Sequence, residues 1–271
     1  MLDPTTIDTW LWALWALPFG LIVGSFSNVV YYRLPIMIEQ EVQGLPPTLN
    51  LSLPRSHCPV CESTLSASDL VPVISYLAVG GRCRSCKTPI PKRYPLIELG
   101  FGLLAVVCAG IWGLSVTAGA AYAFWVVLSL SALIDAKSQW LPDVLTYTLL
   151  WAGVLGASLG ALPTGVSLAA SVWGVIAGYG LLASVDYVMS LRHGHPVLGG
   201  GDMKLVAALG AWVGIETLPC LVLMGCGFGL IGALIAWRRK TLHQGFAFGP
   251  WLALSGMTCF VYLSLNTPAI P

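Results

Sequence analysis

The chain is written in long apolar stretches separated by short polar ones, and the apolar positions run on continuously where a barrel strand would alternate. Stretches at roughly 10–31, 95–113, 117–134, 142–161, 166–189, 203–215, 218–236 and 248–266 carry few ionisable residues. Each is read as a helix, because backbone in lipid must satisfy its own hydrogen bonds. A span needs about 20 apolar residues. The pattern therefore predicts an all-α polytopic membrane protein of about eight transmembrane helices. The stretch at 203–215 is short and is expected either to continue through the loop before it or to lie inside the bundle. Seven spans are the alternative, with the termini on opposite faces.

Charge separates these two topologies. In the eight-span reading all 13 Lys and Arg fall on one side. Arg33, Arg55, Arg82, Arg84, Lys87, Lys92 and Arg93 lie in the first loop, Lys137 in the third, Arg192 and Lys204 in the fifth, and Arg238, Arg239 and Lys240 in the seventh. The opposite segments hold Asp3, Asp8 and Glu216. Basic residues mark the cytoplasmic side, so both termini are expected outside and the long first loop inside. The divisions are a first span over 1–32, a cytoplasmic loop over 33–94 and a seven-span core over 95–271. Met1 to Thr9 lacks the basic start of a cleaved signal peptide, so the first span is expected to be retained. Composition agrees with a membrane class: 9% of residues are charged, against about 25% in soluble domains. The net charge of +1 says nothing about partners. The expected surroundings are a lipid bilayer, with no nucleic acid.

Two carboxylates stand where this pattern places the cytoplasmic face. Asp202 lies in Val197 to Leu205, read VLGGGDMKL, and opens an apolar segment. Asp135 ends the segment at about 117–134 and lies 67 positions earlier (202 − 135). Taken alone, Asp202 is a helix cap after a flexible loop, a role Asp fills well. With Asp135 the pattern gains a second meaning. Two carboxylates at one face can share a proton, so that one accepts a proton from water while the other polarises a peptide carbonyl. That is aspartyl protease chemistry, and Gly199, Gly200 and Gly201 would let an extended substrate backbone lie close.

The first loop carries different chemistry. Cys58-Pro-Val-Cys61 is followed by Cys83-Arg-Ser-Cys86. Two CxxC pairs at this separation are a tetrahedral zinc signature, and a reducing cytosol disfavours disulfides. A closed four-sulfur site has no open position, so Zn²⁺ there is expected to be structural, in a zinc-ribbon-like loop. His57 is read as solvated rather than as a spare ligand. Cys108, Cys220, Cys226 and Cys259 are read as small packing residues.

The other polar positions have plain readings. Gly20, Gly24, Ser25 and Ser27 form a small-residue face on the first span. Asn28 is expected to make an interhelical hydrogen bond. Glu98 is read as a first-turn helix acid, with a contact to the active site or to the loop as the alternative. Asp143 after Pro142 is a helix-start signal. Asp186 needs a partner or water, and His193 and His195 are read as solvated loop residues. Gly156-x3-Gly160, Gly174-x3-Gly178 and Gly210-x3-Gly214 offer close helix contacts.

Several of these motifs occur together in one known pattern. The chain resembles the type IV prepilin peptidases, which are GxGD membrane aspartyl proteases. The likeness rests on GSFSNVVYYRLP in the first span, the paired CxxC loop, RYPLIEL, and Asp135 with LPD at 141–143. It continues through Gly199-Gly200-Gly201-Asp202 with MKL and the ALGAW that follows. Ser27 stands where a larger apolar residue is usual. The resemblance implies removal of the leader peptide from type IV prepilins or type II secretion pseudopilins at the cytoplasmic face of the bacterial inner membrane. It also implies methylation of the new N-terminus with S-adenosylmethionine. By the same resemblance Asp135 and Asp202 are the catalytic pair, with Gly199, Gly200, Gly201, Lys204 and Asp143 as supporting residues. Cys58, Cys61, Cys83 and Cys86 become the zinc ligands.

Three other readings fit the sequence less well. A GxGD protease of another substrate without methylation, of the preflagellin-peptidase kind, fits less well with an intact four-cysteine loop. A proton-coupled transporter would place its acids near mid-span, whereas these lie at span ends. A zinc binding module on an inert anchor leaves the paired Asp and the glycine loop without a role.

Overall fold

The charge-poor stretches fold as helices. Among the described residues, the extended pairing is confined to two isolated antiparallel bridges, His57 with Thr64 and Arg82 with Pro89. The structure, a computed structural model, describes residues 11–238 and 246–267. Asp3, Asp8, Arg239, Lys240 and the C-terminus, which entered the charge reading, lie outside the described residues. The chain divides at Ala118–Gly119 into two units.

The first unit is built on α1 (Ala16–Val42) and α3 (Arg93–Trp112), with a short α2 (Ile74–Ala78) in the loop between them. α1 and α3 pack on the small-residue face. A methyl group on Gly20 would lie 2.6 Å from the Phe101 carbonyl oxygen, and one on Gly24 would lie 2.6 Å from the Glu98 Cα. Only bare backbone permits this approach. Asn28 Nδ2 donates to the Tyr94 carbonyl at 3.2 Å, the interhelical bond its position suggested.

Two boundaries differ from expectation. α1 runs on to Val42, with Pro35 inside the helix, past Arg33, where the loop was expected to start. Arg33 is buried and donates to the carbonyls of Asn50 and Pro54 at 2.7 Å each, so it holds the loop against the extended helix. Glu98 lies beyond the first turn of α3, which begins at Arg93. Its Oε2 accepts from Val73 N–H at 2.7 Å, so the loop contact replaces the helix-dipole reading.

The second unit is a bundle of α4 (Val116–Ser138), α5 (Asp143–Ser158), α6 (Leu168–His193), α7 (Gly200–Arg238) and α8 (Gly249–Asn266). Its core is aromatic: Phe124 stacks on Phe260 with centroids 4.2 Å apart, and Trp212 leans on Phe124 at 5.0 Å. Trp212 Nε1 donates to the Leu149 carbonyl at 2.8 Å, satisfying the one polar atom of a fully buried ring. Gly174 and Gly210 lie so close that a methyl group on either would strike the other's carbonyl oxygen.

α7 is 39 residues long, but Gly214 breaks it with φ 73° and ψ 167°. Leu209 Cδ2 would touch a methyl group on Gly256, while Ser255 Oγ donates to the Leu221 carbonyl. Leu209 and Leu221 are 12 positions apart (221 − 209), about 18 Å along a straight helix. Both reach one step of α8, so the chain turns back at Gly214 into two arms. The break frees carbonyls of the preceding turn, and Thr164 Oγ1 donates to one of them, that of Trp212, at 2.7 Å. Gly160 departs from its expected packing role: it has φ 63° and no close neighbour.

Among the described residues, five helices are long and apolar enough to cross a membrane: Leu11–Val42, Arg93–Trp112, Val116–Ser138, Leu168–His193 and Gly200–Arg238. Asp143–Ser158 has 16 residues, about 24 Å of helix, short of the roughly 30 Å hydrocarbon core. Outward faces are apolar, with Trp15, Trp173, Leu223 and Leu265 exposed. Exposed apolar faces of this extent mark a surface made for lipid.

Candidate active site and metal centre

Asp135 lies in the last turn of α4, where the helix dipole disfavours a negative charge. It is nevertheless buried, at 4% exposure. The compensation comes from another helix. The first backbone N–H of α8, on Gly249, donates to Asp135 Oδ2 at 3.0 Å. Helix N-termini carry unsatisfied N–H groups and a partial positive charge, so α8 supplies what the end of α4 lacks. Gly249 is glycine for want of space: a methyl group there would lie 2.6 Å from Asp135 Oδ2 and 3.2 Å from Leu141 Cδ1.

Asp202 stands in the first turn of α7, where the dipole favours a carboxylate. Its N–H donates to the Gly199 carbonyl at 3.1 Å, which closes the turn. Leu141 joins the two carboxylate neighbourhoods, since it borders Gly249 on one side and Gly201 on the other. Asp135 and Asp202 are near enough for their charges to interact.

The three glycines are not equivalent. A methyl group on Gly201 would meet Leu141 Cβ at 2.8 Å, and one on Gly199 would lie 3.2 Å from Asp202 Oδ2, whereas Gly200 has open space. Lys204 Nζ donates to both oxygens of Asp143 at 2.7 Å and lies 5.6 Å from the Tyr147 ring centroid. Asp143 opens α5 after Pro142, as the helix-start reading predicts. Two contributors escaped the sequence reading. Gly249 appeared only as the start of an apolar stretch, although Phe248-Gly249-Pro250 is a helix-opening signal. Asp186, which needs a partner or water, finds its partners in a loop the sequence does not point to: its Oδ1 accepts from Val197 N–H and Leu198 N–H, both at 2.8 Å.

The candidate metal centre is in the first unit. Sγ of Cys58, Cys61, Cys83 and Cys86 all lie within 4.8 Å of one another. Cys58–Cys86 is 3.7 Å and Cys61–Cys83 is 3.9 Å. A tetrahedron with metal–sulfur bonds of about 2.3 Å has edges of about 3.8 Å, while a disulfide needs about 2.05 Å. The donors and their spacing fit a metal ion.

Two matching backbone knuckles build this cluster. In one, Glu62 N–H donates to the Cys58 carbonyl at 2.9 Å; in the other, Lys87 N–H donates to the Cys83 carbonyl at 3.1 Å. Both closing residues have positive φ, 56° and 62°. The N–H groups of Cys86 and Ser85 draw the Cys83 thiol down to about 6, and the Ser63 hydroxyl and N–H lower that of Cys61. Charge-favouring N–H groups of this kind suit a thiolate ligand. His57 Nδ1 is 2.9 Å from the Arg55 carbonyl and takes no part. Asp69 pairs with Arg84 inside the second knuckle and ties the intervening segment to it.

Comparison with known proteins covers both units. Residues 19–112 match the family model described as the bacterial peptidase A24 N-terminal domain, and residues 121–235 match that of the type IV leader peptidase family. The prepilin leader peptidase/N-methyltransferase of Burkholderia pseudomallei (strain K96243) is 44% identical over 257 residues, 89% of this chain and 82% of that protein. The protein of the same name from Pseudomonas aeruginosa is 41% identical over 258 residues, 90% and 88% of the two chains. The type 4 prepilin-like proteins leader peptide-processing enzyme of Escherichia coli O78:H11 is 39% identical over 251 residues, 90% and 91%. No solved structure matches the chain.

Proposed function

The chain belongs to the type IV leader peptidase family, and from that premise we propose that it is a membrane aspartyl endopeptidase and N-methyltransferase. It cuts the leader from type IV prepilins or type II secretion pseudopilins and methylates the new N-terminus. The observation that carries the peptidase reading is the neighbourhood of Asp135 and Asp202, with Leu141 between Gly249 and Gly201 and with Asp135 anchored by Gly249 N–H. In this mechanism one carboxylate takes a proton from the attacking water and the other gives a proton to the scissile carbonyl oxygen. The Gly249 N–H fixes Oδ2 of Asp135, leaving Oδ1 for the proton exchanged in the reaction. The open backbone at Gly200 receives the extended leader, and the Lys204–Asp143 pair holds the start of α5 beside the turn of Asp202.

Zn²⁺ is the metal proposed for Cys58, Cys61, Cys83 and Cys86, as a structural ion that orders a loop with little apolar core of its own. S-adenosylmethionine, when bound, supplies the methyl group. A cleft of about 470 Å³ in the same loop, lined by Tyr76, Gly81, Arg82, Ile90 and Lys92, has room for a nucleoside-sized donor. Arg82 and Lys92 would meet the donor's carboxylate. The proposed setting is the inner membrane with eight crossings, counting the two arms of α7 separately. Both termini are then external, and the metal loop and Asp pair cytoplasmic.

The test is cleavage of a purified model prepilin by the purified full chain. Wild type releases the leader, whereas Asp135→Asn and Asp202→Asn insert normally and release none. Near-normal cleavage by either variant overturns the assignment.

A further inference from the structure

We propose that Asp186 is a positioning residue for the catalytic turn, acting on Asp202 through the loop that precedes it. The inference rests on the peptidase reading above. α6 runs on to His193, where Gly194 ends it with φ 77°. The chain then doubles back, because Val197 and Leu198, 11 and 12 residues beyond Asp186, both donate their N–H groups to its Oδ1 at 2.8 Å. Asp186 lies seven positions before His193 (193 − 186), about 10 Å up the helix. The return loop is thus pinned well inside the end of α6.

The link from this clamp to the carboxylate is short. Leu198 N–H is held by Asp186; the next residue, Gly199, offers the carbonyl that accepts Asp202 N–H at 3.1 Å. One peptide unit separates the clamped donor from the acceptor that closes the Asp202 turn. Without the clamp, the stretch from His195 to Gly201 would enter α7 through three consecutive glycines, the residues with the most backbone freedom to lose. A carboxylate accepting two backbone N–H groups makes stronger bonds than a neutral acceptor, and here both donors share one oxygen. The geometry needs an acceptor oxygen at this place. Asparagine supplies one and alanine does not.

The experiment measures kcat and KM for leader cleavage by the full-length wild type, Asp186→Ala and Asp186→Asn, with hydrogen exchange at Val197 and Leu198. Asp186→Ala is expected to lower kcat about 10-fold or more, to leave KM within about twofold, and to speed exchange at both amides. Asp186→Asn is expected to keep kcat within about threefold of wild type. The inference is overturned if Asp186→Ala cleaves at the wild-type kcat, if its two amides exchange no faster, or if the Asn variant loses as much as the Ala variant. Failure of the wild-type chain to cleave at all would instead refute the peptidase reading, while the exchange result would still report on the clamp.

Discussion

Replacing Gly249 with alanine is the sharpest perturbation of the proposed active site that leaves both carboxylates in place. The new methyl group would lie 2.6 Å from Asp135 Oδ2, and ordinary contact begins near 3.4 Å. The carboxylate must therefore retreat by about 0.8 Å (3.4 − 2.6). That stretches the 3.0 Å bond from Gly249 N–H to roughly 3.5 Å, beyond the usual range of about 2.7–3.2 Å for an N–H···O bond. Loss of a hydrogen bond to a charged group costs about 1.5–3 kcal/mol, which corresponds to about 10- to 150-fold in kcat/KM. Folding should change much less, because alanine favours a helix over glycine by up to about 1 kcal/mol, against the cost of crowding. The control is Gly227→Ala, where a methyl group meets nothing within 4 Å. The assay pairs leader-cleavage kinetics with thermal unfolding of the same preparations. A well-folded Gly249→Ala that cleaves at the wild-type rate would refute the claim that α8 holds Asp135 in its working position.

Other perturbations separate parts of the account. Gly200→Ala should fold and melt like wild type, while Gly201→Ala, which presses on Leu141 at 2.8 Å, should lower both stability and cleavage; thermal melts of the two variants decide it. Asp143→Asn removes a half-exposed ion pair with Lys204, worth at most about 1 kcal/mol, so cleavage should fall no more than about fivefold, and complete loss in a folded protein would make Asp143 a catalytic group. The protein should contain about one metal ion per chain, held by thiolates, and Cys83→Ser should lower that content in elemental analysis. Cys83 is held at about 6 in the folded loop, below the usual thiol value of about 8.5. Its ionised form therefore contributes stability that is fully present above the unfolded value and is lost as pH falls through about 6. A bound metal keeps the thiolates ionised to lower pH still, so metal retention measured against pH should persist down to about 6 and fall below it, and release near about pH 8 would contradict the reading.

What the sequence made legible was whatever depends on local spacing. Continuous apolar stretches predicted helices, and helices fill the structure. The two CxxC pairs predicted a four-sulfur cluster, because each knuckle is a short-range backbone device that the sequence writes in full. Gly20 and Gly24 were read as a packing face for the same reason. Long-range partners were hidden. The Asp135 carboxylate is satisfied by Gly249, 114 residues away, and no periodicity in α4 points to the start of α8. Asp186 reaches its partners only because Gly194 turns the chain back. Arg33 was assigned to a loop because charge usually ends an apolar span, yet the carbonyls of Asn50 and Pro54 let it stay buried in a longer helix. The reversal at Gly214 was foreshadowed only by the shortness of the stretch before it, since glycine in an apolar stretch more often marks close packing than a break.

The central claim is that a single chain both cuts a prepilin with Asp135 and Asp202 and methylates the product. Its most direct test is the mass of the pilin N-terminus after incubation of prepilin with the purified full-length chain, with and without S-adenosylmethionine, beside Asp202→Asn. The account predicts a leaderless, unmethylated product without the donor, and a leaderless product heavier by one methyl group with it. Asp202→Asn should leave the prepilin intact in both cases. A leaderless product from Asp202→Asn, or an intact prepilin after treatment with the wild-type chain, would contradict it.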